Sequence, residues 1–131
     1  GWYDQGSGDV DSRHNYFYPL HLRPGARTVA LSEYGGIAWP MPGHEPPRKT
    51  YGYGTAKSRE ELTARYKKLQ LGTVLPQLQK GLSALVYTQL TDVEDEVNGL
   101  FTYDRTEIKP DANAVRSVNA ALAAEFAKVT R

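Results

Sequence analysis

With 131 residues and 16 basic against 15 acidic side chains, the chain is long enough for one ordinary domain with a real core and carries almost no net charge. The two signs are interspersed, so no nucleic-acid footprint and no attraction to an anionic membrane surface is expected. The absence of cysteine removes disulfides, thiolate nucleophiles and thiolate metal ligands while leaving the compartment open.

The opening Gly1-Trp2-Tyr3-Asp4-Gln5-Gly6 is polar and lacks the basic and apolar parts of a signal peptide, and no apolar run reaches the length of a membrane span. A weak strand pattern follows from Gly8 through Tyr18, after which Pro19 and Pro24-Gly25 punctuate a loop. Arg27-Thr28-Val29-Ala30-Leu31 is a short strand of buried type that runs into Ser32-Glu33-Tyr34-Gly35-Gly36. In a parallel α/β barrel the chemistry sits at the carboxyl ends of the strands, so Glu33 is a candidate catalyst, with the two glycines giving a sharp turn and room for a ligand. The alternative is an acid that faces solvent or caps the next helix.

The Pro- and Gly-rich stretch from Ile37 through Tyr53 is long for an ordinary connection, which points to a functional loop. Ser58-Arg59-Glu60-Glu61 reads as a capping box opening a helix. Leu62, Tyr66, Leu69, Val74 and Leu78 form the buried face of that helix, and Gly81 is its left-handed stop. Ser83 through Leu90 is a nearly continuous apolar run of strand length, predicting a strand buried on both faces of a parallel sheet. The last helix is expected to begin at Pro110-Asp111, with proline and an acid in its first turn, and to bury Ala114, Val115, Val118, Leu122 and Phe126. No internal repeat, low-complexity tract or domain boundary interrupts residues 1–131.

Several of these segments carry a resemblance that spacing does not supply. Leu31-Ser32-Glu33-Tyr34-Gly35-Gly36, Pro40, Pro42-Gly43-His44, Tyr51-Gly52-Tyr53 and the long block from Tyr87 through Arg105 together resemble the end of a glycoside hydrolase family 2 catalytic barrel, the family of β-galactosidases, β-glucuronidases and β-mannosidases. The resemblance implies an α/β fold in which this chain is the C-terminal part of a (β/α)8 TIM barrel, about three parallel strands with two long helices. Asp9 to Tyr16 would be strand six, Thr28 to Glu33 strand seven, and Leu85 to Leu90 strand eight. Because 131 residues are about half of a typical β/α barrel, that reading makes the chain a fragment.

The implied activity is hydrolysis of β-O-glycosidic bonds, β-galactosidase-like, by a retaining mechanism with two carboxylates about 5 Å apart. Glu33 matches the family's nucleophile, which would form a glycosyl ester. The family's acid/base lies in an Asn-Glu pair at the tip of strand four. Here Asn15 is followed by Tyr16 and Asn98 by Gly99, so the expectation is that this chain holds half of the dyad and does not turn over glycosides alone. No cofactor is implied. The expected partners are a carbohydrate substrate and the remainder of the parent barrel, with self-association of the fragment through its raw sheet edges.

The resemblance also suggests His14 and Tyr16 as a wall of the sugar site, against the plainer reading of a surface imidazole beside a core tyrosine. Tyr34 and Trp39 are candidates to stack on a sugar face, although loop aromatics more often simply bury area. Relatives often carry an aromatic residue near the position of Thr88, and in its absence Gln89 is a candidate to hydrogen-bond a hydroxyl. Asp92, Glu94, Asp95 and Glu96 could supply oxygen ligands to a hard cation, but capping and solvating their loop is the preferred reading, so no metal site is assigned. His44, without a second ligand at suitable spacing, is expected to make a loop hydrogen bond. A non-catalytic carbohydrate-binding or structural module derived from the barrel is the alternative to the enzyme.

Overall fold

The computed structural model describes residues 1–17, 19–23 and 25–129. Tyr18 and Pro24, both in the segment read as strand end and loop, lie outside the described residues. Three strands, β1 (Val10–Asn15), β2 (Thr28–Gly35) and β3 (Leu82–Thr88), form one parallel sheet in the order β1-β2-β3. Between β2 and β3 the chain crosses over through α1 (Arg59–Lys67), a π-helical stretch (Lys68–Val74) and α2 (Leu75–Leu78), and α3 (Ala112–Val129) follows β3. Parallel neighbours require such crossovers, because a tight turn reverses the chain. Both the mixed α/β class and the element order agree with the sequence reading.

The core lies between one face of the sheet and the helices. Val29, Leu31 and Tyr34 of β2 meet Leu62, Leu69, Val74, Leu78 and Leu122 there. All five residues predicted for the inner face of the first helix are buried, Tyr66 among them. Their spacing contains one step of five, from Leu69 to Val74, which a regular α-helix would carry off the face. The π stretch covers that step, and its wider turn brings Val74 back to the core. Ser58 caps α1 as expected, its Oγ accepting from the Glu61 amide at 3.2 Å, but Glu61 reaches one residue further back and accepts from the Lys57 amide at 2.9 Å.

Three expectations are corrected. The strand at residues 82–88 is not buried on both faces: Val86 is 57% exposed, and Ser83 and Ala84 are exposed too. An apolar run gives a strand's length but not which of its faces finds a partner. In α3, Asp111 is the cap itself, its Oδ1 accepting from the Ala114 amide at 2.7 Å, so Pro110 precedes the helix and is buried. Of the predicted α3 stripe, Val118 and Leu122 are fully buried, while Phe126 stands at the rim.

A second irregularity shapes β2. Arg13 pairs with Leu31 but His14 pairs with Glu33, so Ser32 is an extra residue in the ladder. Such a bulge re-aims the side chains beyond it. Ser32 Oγ lies 2.6 Å from Ser12 Oγ, on the face opposite Leu31, and Glu33 follows on that same open side. Among the described residues no helix is long and apolar enough to cross a membrane.

Candidate active site at the strand tips

Glu33 lies two residues before the C-terminal end of β2, its side chain 45% exposed. Its Oε2 is 2.9 Å from the phenol of Tyr16, which follows β1, and that phenol is 3.0 Å from Oγ1 of Thr88, the last residue of β3. One chain of polar contacts therefore joins the tips of all three strands. Its direction follows from counting protons: an ionised carboxylate only accepts, a phenol has one proton, and a hydroxyl has one of its own. Tyr16 thus donates to Glu33, and the Thr88 hydroxyl donates to Tyr16.

Burial, first, pushes the Tyr16 phenol well above its ordinary value of 10; the Thr88 bond pulls it down, and the Glu33 carboxylate raises it further. Tyr16 thereby stays a donor into the alkaline range, beyond an ordinary phenol. His14 Nδ1 lies 3.2 Å from Glu33 Oε2, close enough for an ion pair if the ring is protonated, but outside hydrogen-bond geometry, and it has no hydrogen-bond partner among the described residues. The imidazole and the phenol together flank one side of the carboxylate.

An aromatic cluster fixes this arrangement from outside. Tyr16 stacks on Tyr53 at 3.9 Å between ring centres and 9° between planes, Tyr51 meets Tyr53 edge-on, and Trp2 stands edge-on to His14 at 5.6 Å. The stack needs a glycine at position 36: its φ is +60°, and a Cβ there would come within 2.7 Å of the Tyr53 ring and 2.9 Å of Tyr16. Trp2 and Tyr53 were missed as site residues. The signal for Tyr53 was aromatic residues alternating with glycine in Tyr51-Gly52-Tyr53-Gly54, a pattern that keeps rings close to a backbone; nothing near Trp2 announced its position.

The remaining candidates are dispersed. Tyr34 is buried on the helix side of the sheet, where its phenol donates to Gln70 Oε1 at 3.1 Å and its ring meets Tyr87 edge-on, so it does not share the open face with Glu33. Trp39 is buried in the core. Gln89, joined to Thr88 by a cis peptide bond, donates to Asn98 Oδ1 at 2.6 Å and to Glu96 Oε2 at 3.3 Å. His44 Nδ1 pairs with Asp104 Oδ2 at 2.7 Å, tying the loop after β2 to the loop before α3.

The acidic run separates: Asp92 is buried against Lys109, Glu96 serves Gln89 and Asn98, and Glu94 and Asp95 face solvent. Among the described residues no three His, Asp or Glu side chains are grouped to hold a metal ion. A half-exposed carboxylate, held by a phenol and flanked by an imidazole, can act as a nucleophile or as an acceptor for a ligand hydroxyl. Comparison with family models and with curated proteins returns no match to this chain.

Proposed function

We propose that the chain forms the last three strands and their helices of a retaining β-glycosidase barrel, β-galactosidase-like, and that Glu33 is its nucleophile. The observation that carries this reading is the position of Glu33. It is an exposed carboxylate at the C-terminal tips of parallel strands, oriented at 2.9 Å by a phenol that is itself positioned by the third strand. Active sites of parallel barrels occupy that end. In the proposed reaction Glu33 Oε1 or Oε2 attacks the anomeric carbon while the leaving oxygen takes a proton from an acid supplied by another part of the barrel, and water then cleaves the glycosyl ester. Donation from Tyr16 keeps the carboxylate in one orientation before attack and stabilises it again as it leaves.

The proposal is tested by replacing Glu33 with Gly in the intact gene product and adding azide. A small anion entering the vacated space attacks from the same side as the carboxylate did, so restored turnover should give a glycosyl azide of inverted configuration. Unimpaired hydrolysis in the Glu33→Gly variant would refute the assignment.

A non-catalytic carbohydrate-binding module is the second reading. It is favoured by the contacts of Glu33, which among the described residues are a phenol and an imidazole and not a second carboxyl. On this reading the intact protein binds β-glycosides without cleaving them, and Glu33→Gln weakens binding.

A further inference from the structure

Beside Tyr16 lies an open cavity of about 840 Å³, which Gly35 at the end of β2 also lines. That volume suits a small organic ligand. Phe17, Tyr51 and Tyr53 line it from the loops, and Arg65, Lys68 and Thr73 line it from the helical crossover. The floor is apolar, with Ile37 and Leu69. Among the described lining residues none is acidic. Oε1 of Glu61 is 3.7 Å from the Arg65 guanidinium, while its Oε2 accepts from the Lys57 amide. A pair that long and that exposed neutralises little of the guanidinium. The cavity therefore brings two cationic groups and aromatic rings to one space, with the Arg65 guanidinium close to Gly54 and so to the loop that carries Tyr53.

The helical wall is irregular where it meets the cavity. Lys68, Leu69 and Thr73 all belong to the π-helical stretch Lys68–Val74. Such turns are rarer than α-helical ones and recur at functional sites, where they present side chains a regular helix would turn away.

We propose that this cavity is a binding site for a ring-bearing organic anion, a carboxylate carried on a planar aromatic or a pyranose ring. The ring lies against Tyr51 or Tyr53, and the carboxylate meets Arg65 and Lys68, with the guanidinium able to receive it through two parallel hydrogen bonds. The site shares Tyr16 and Tyr53 with the Glu33 cluster, but it does not depend on that carboxylate being a nucleophile.

The test is an NMR titration of the full chain with benzoate, with glucuronate, and with the neutral controls benzyl alcohol and glucose. At least one acid should give saturable shifts confined to residues around Tyr51, Tyr53, Arg65 and Lys68, and should bind at least tenfold more tightly than its neutral control. Saturation by benzoate alone identifies an aryl carboxylate, and saturation by glucuronate alone an acidic sugar. Arg65→Gln and Lys68→Gln, both outside the Glu33 cluster, should each weaken binding by about tenfold, the loss of one charge-assisted contact. The proposal is overturned if neither acid saturates, if the neutral controls bind equally well, or if the double variant binds unchanged.

Discussion

Lys109 and Asp92 form an ion pair sealed from water: Nζ lies 2.8 and 3.0 Å from the two carboxylate oxygens, with the side chains 0% and 2% exposed. Burial pushes the carboxyl up and the ammonium down, each against the pull of the other. The pair survives because its other valences are filled: Lys109 also donates to the Val97 carbonyl at 2.9 Å, and Asp92 also accepts from the Gly99 amide at 2.7 Å. It pins the segment between β3 and α3.

Lys109→Met should therefore destabilise the fold by about 3–5 kcal/mol, because it leaves a buried carboxylate uncompensated. Adding Asp92→Asn, which removes that charge but keeps an acceptor for Gly99, should recover part of the loss. Urea denaturation of the two variants checks this. A double variant no more stable than Lys109→Met would contradict it.

Glycines 72 and 99 should respond in opposite ways to alanine. Gly72 lies in the helical crossover with open space around its would-be Cβ, so Gly72→Ala should stabilise by about 0.5–1 kcal/mol through reduced freedom of the unfolded chain. At Gly99 a Cβ would collide with the backbone of Thr91 and Asp92, and Gly99→Ala should cost at least about 1–3 kcal/mol. Thermal melts of both variants give the comparison.

The helical crossover was legible in the sequence because its apolar residues share one face, although the five-residue gap from Leu69 to Val74 was passed over as ordinary helical spacing. The open face of β3 was not legible, since periodicity reports apolar content and not the presence of a covering layer. Lys109 was invisible for another reason. Nothing in Glu107-Ile108-Lys109-Pro110 marks a buried cation, and its partner Asp92 looked like one of four solvated acids until folding separated them. Glu33 was named from its place at a strand tip and Tyr16 from a resemblance, while the part of Thr88 emerged only when three strand ends converged. The bulge at Ser32 that turns Glu33 to the open side has no signature in the residues themselves.

Alkaline pH should weaken the fold through Tyr34. Burial pushes the phenol up to about 12 from an ordinary 10. The neutral form is thus favoured in the folded state, so this contribution is complete below pH 10 and is lost as pH rises toward 12. Stability measured across that range should fall less steeply in Tyr34→Phe than in the parent chain.

The acid limb should report Asp104. Bonds from Thr102, the Thr106 amide, His44 and the Thr106 hydroxyl hold its carboxyl well below the ordinary 3.8. A depressed carboxyl contributes above its unfolded value, and that contribution disappears as pH falls below it. In Asp104→Asn the decline of stability below about pH 4 should be shallower, and the His44 ring resonances should lose their dependence on this carboxylate. An unchanged acid limb would show that the link between the two loops carries no free energy.

The proposal that Glu33 is a nucleophile can be checked by mass spectrometry of the intact gene product after incubation with a 2-fluoro-β-glycoside, which slows cleavage of a glycosyl ester enough to trap it. A label is expected on the peptide that contains Glu33, absent in Glu33→Gln. A catalytically active protein labelled at any other residue would contradict it.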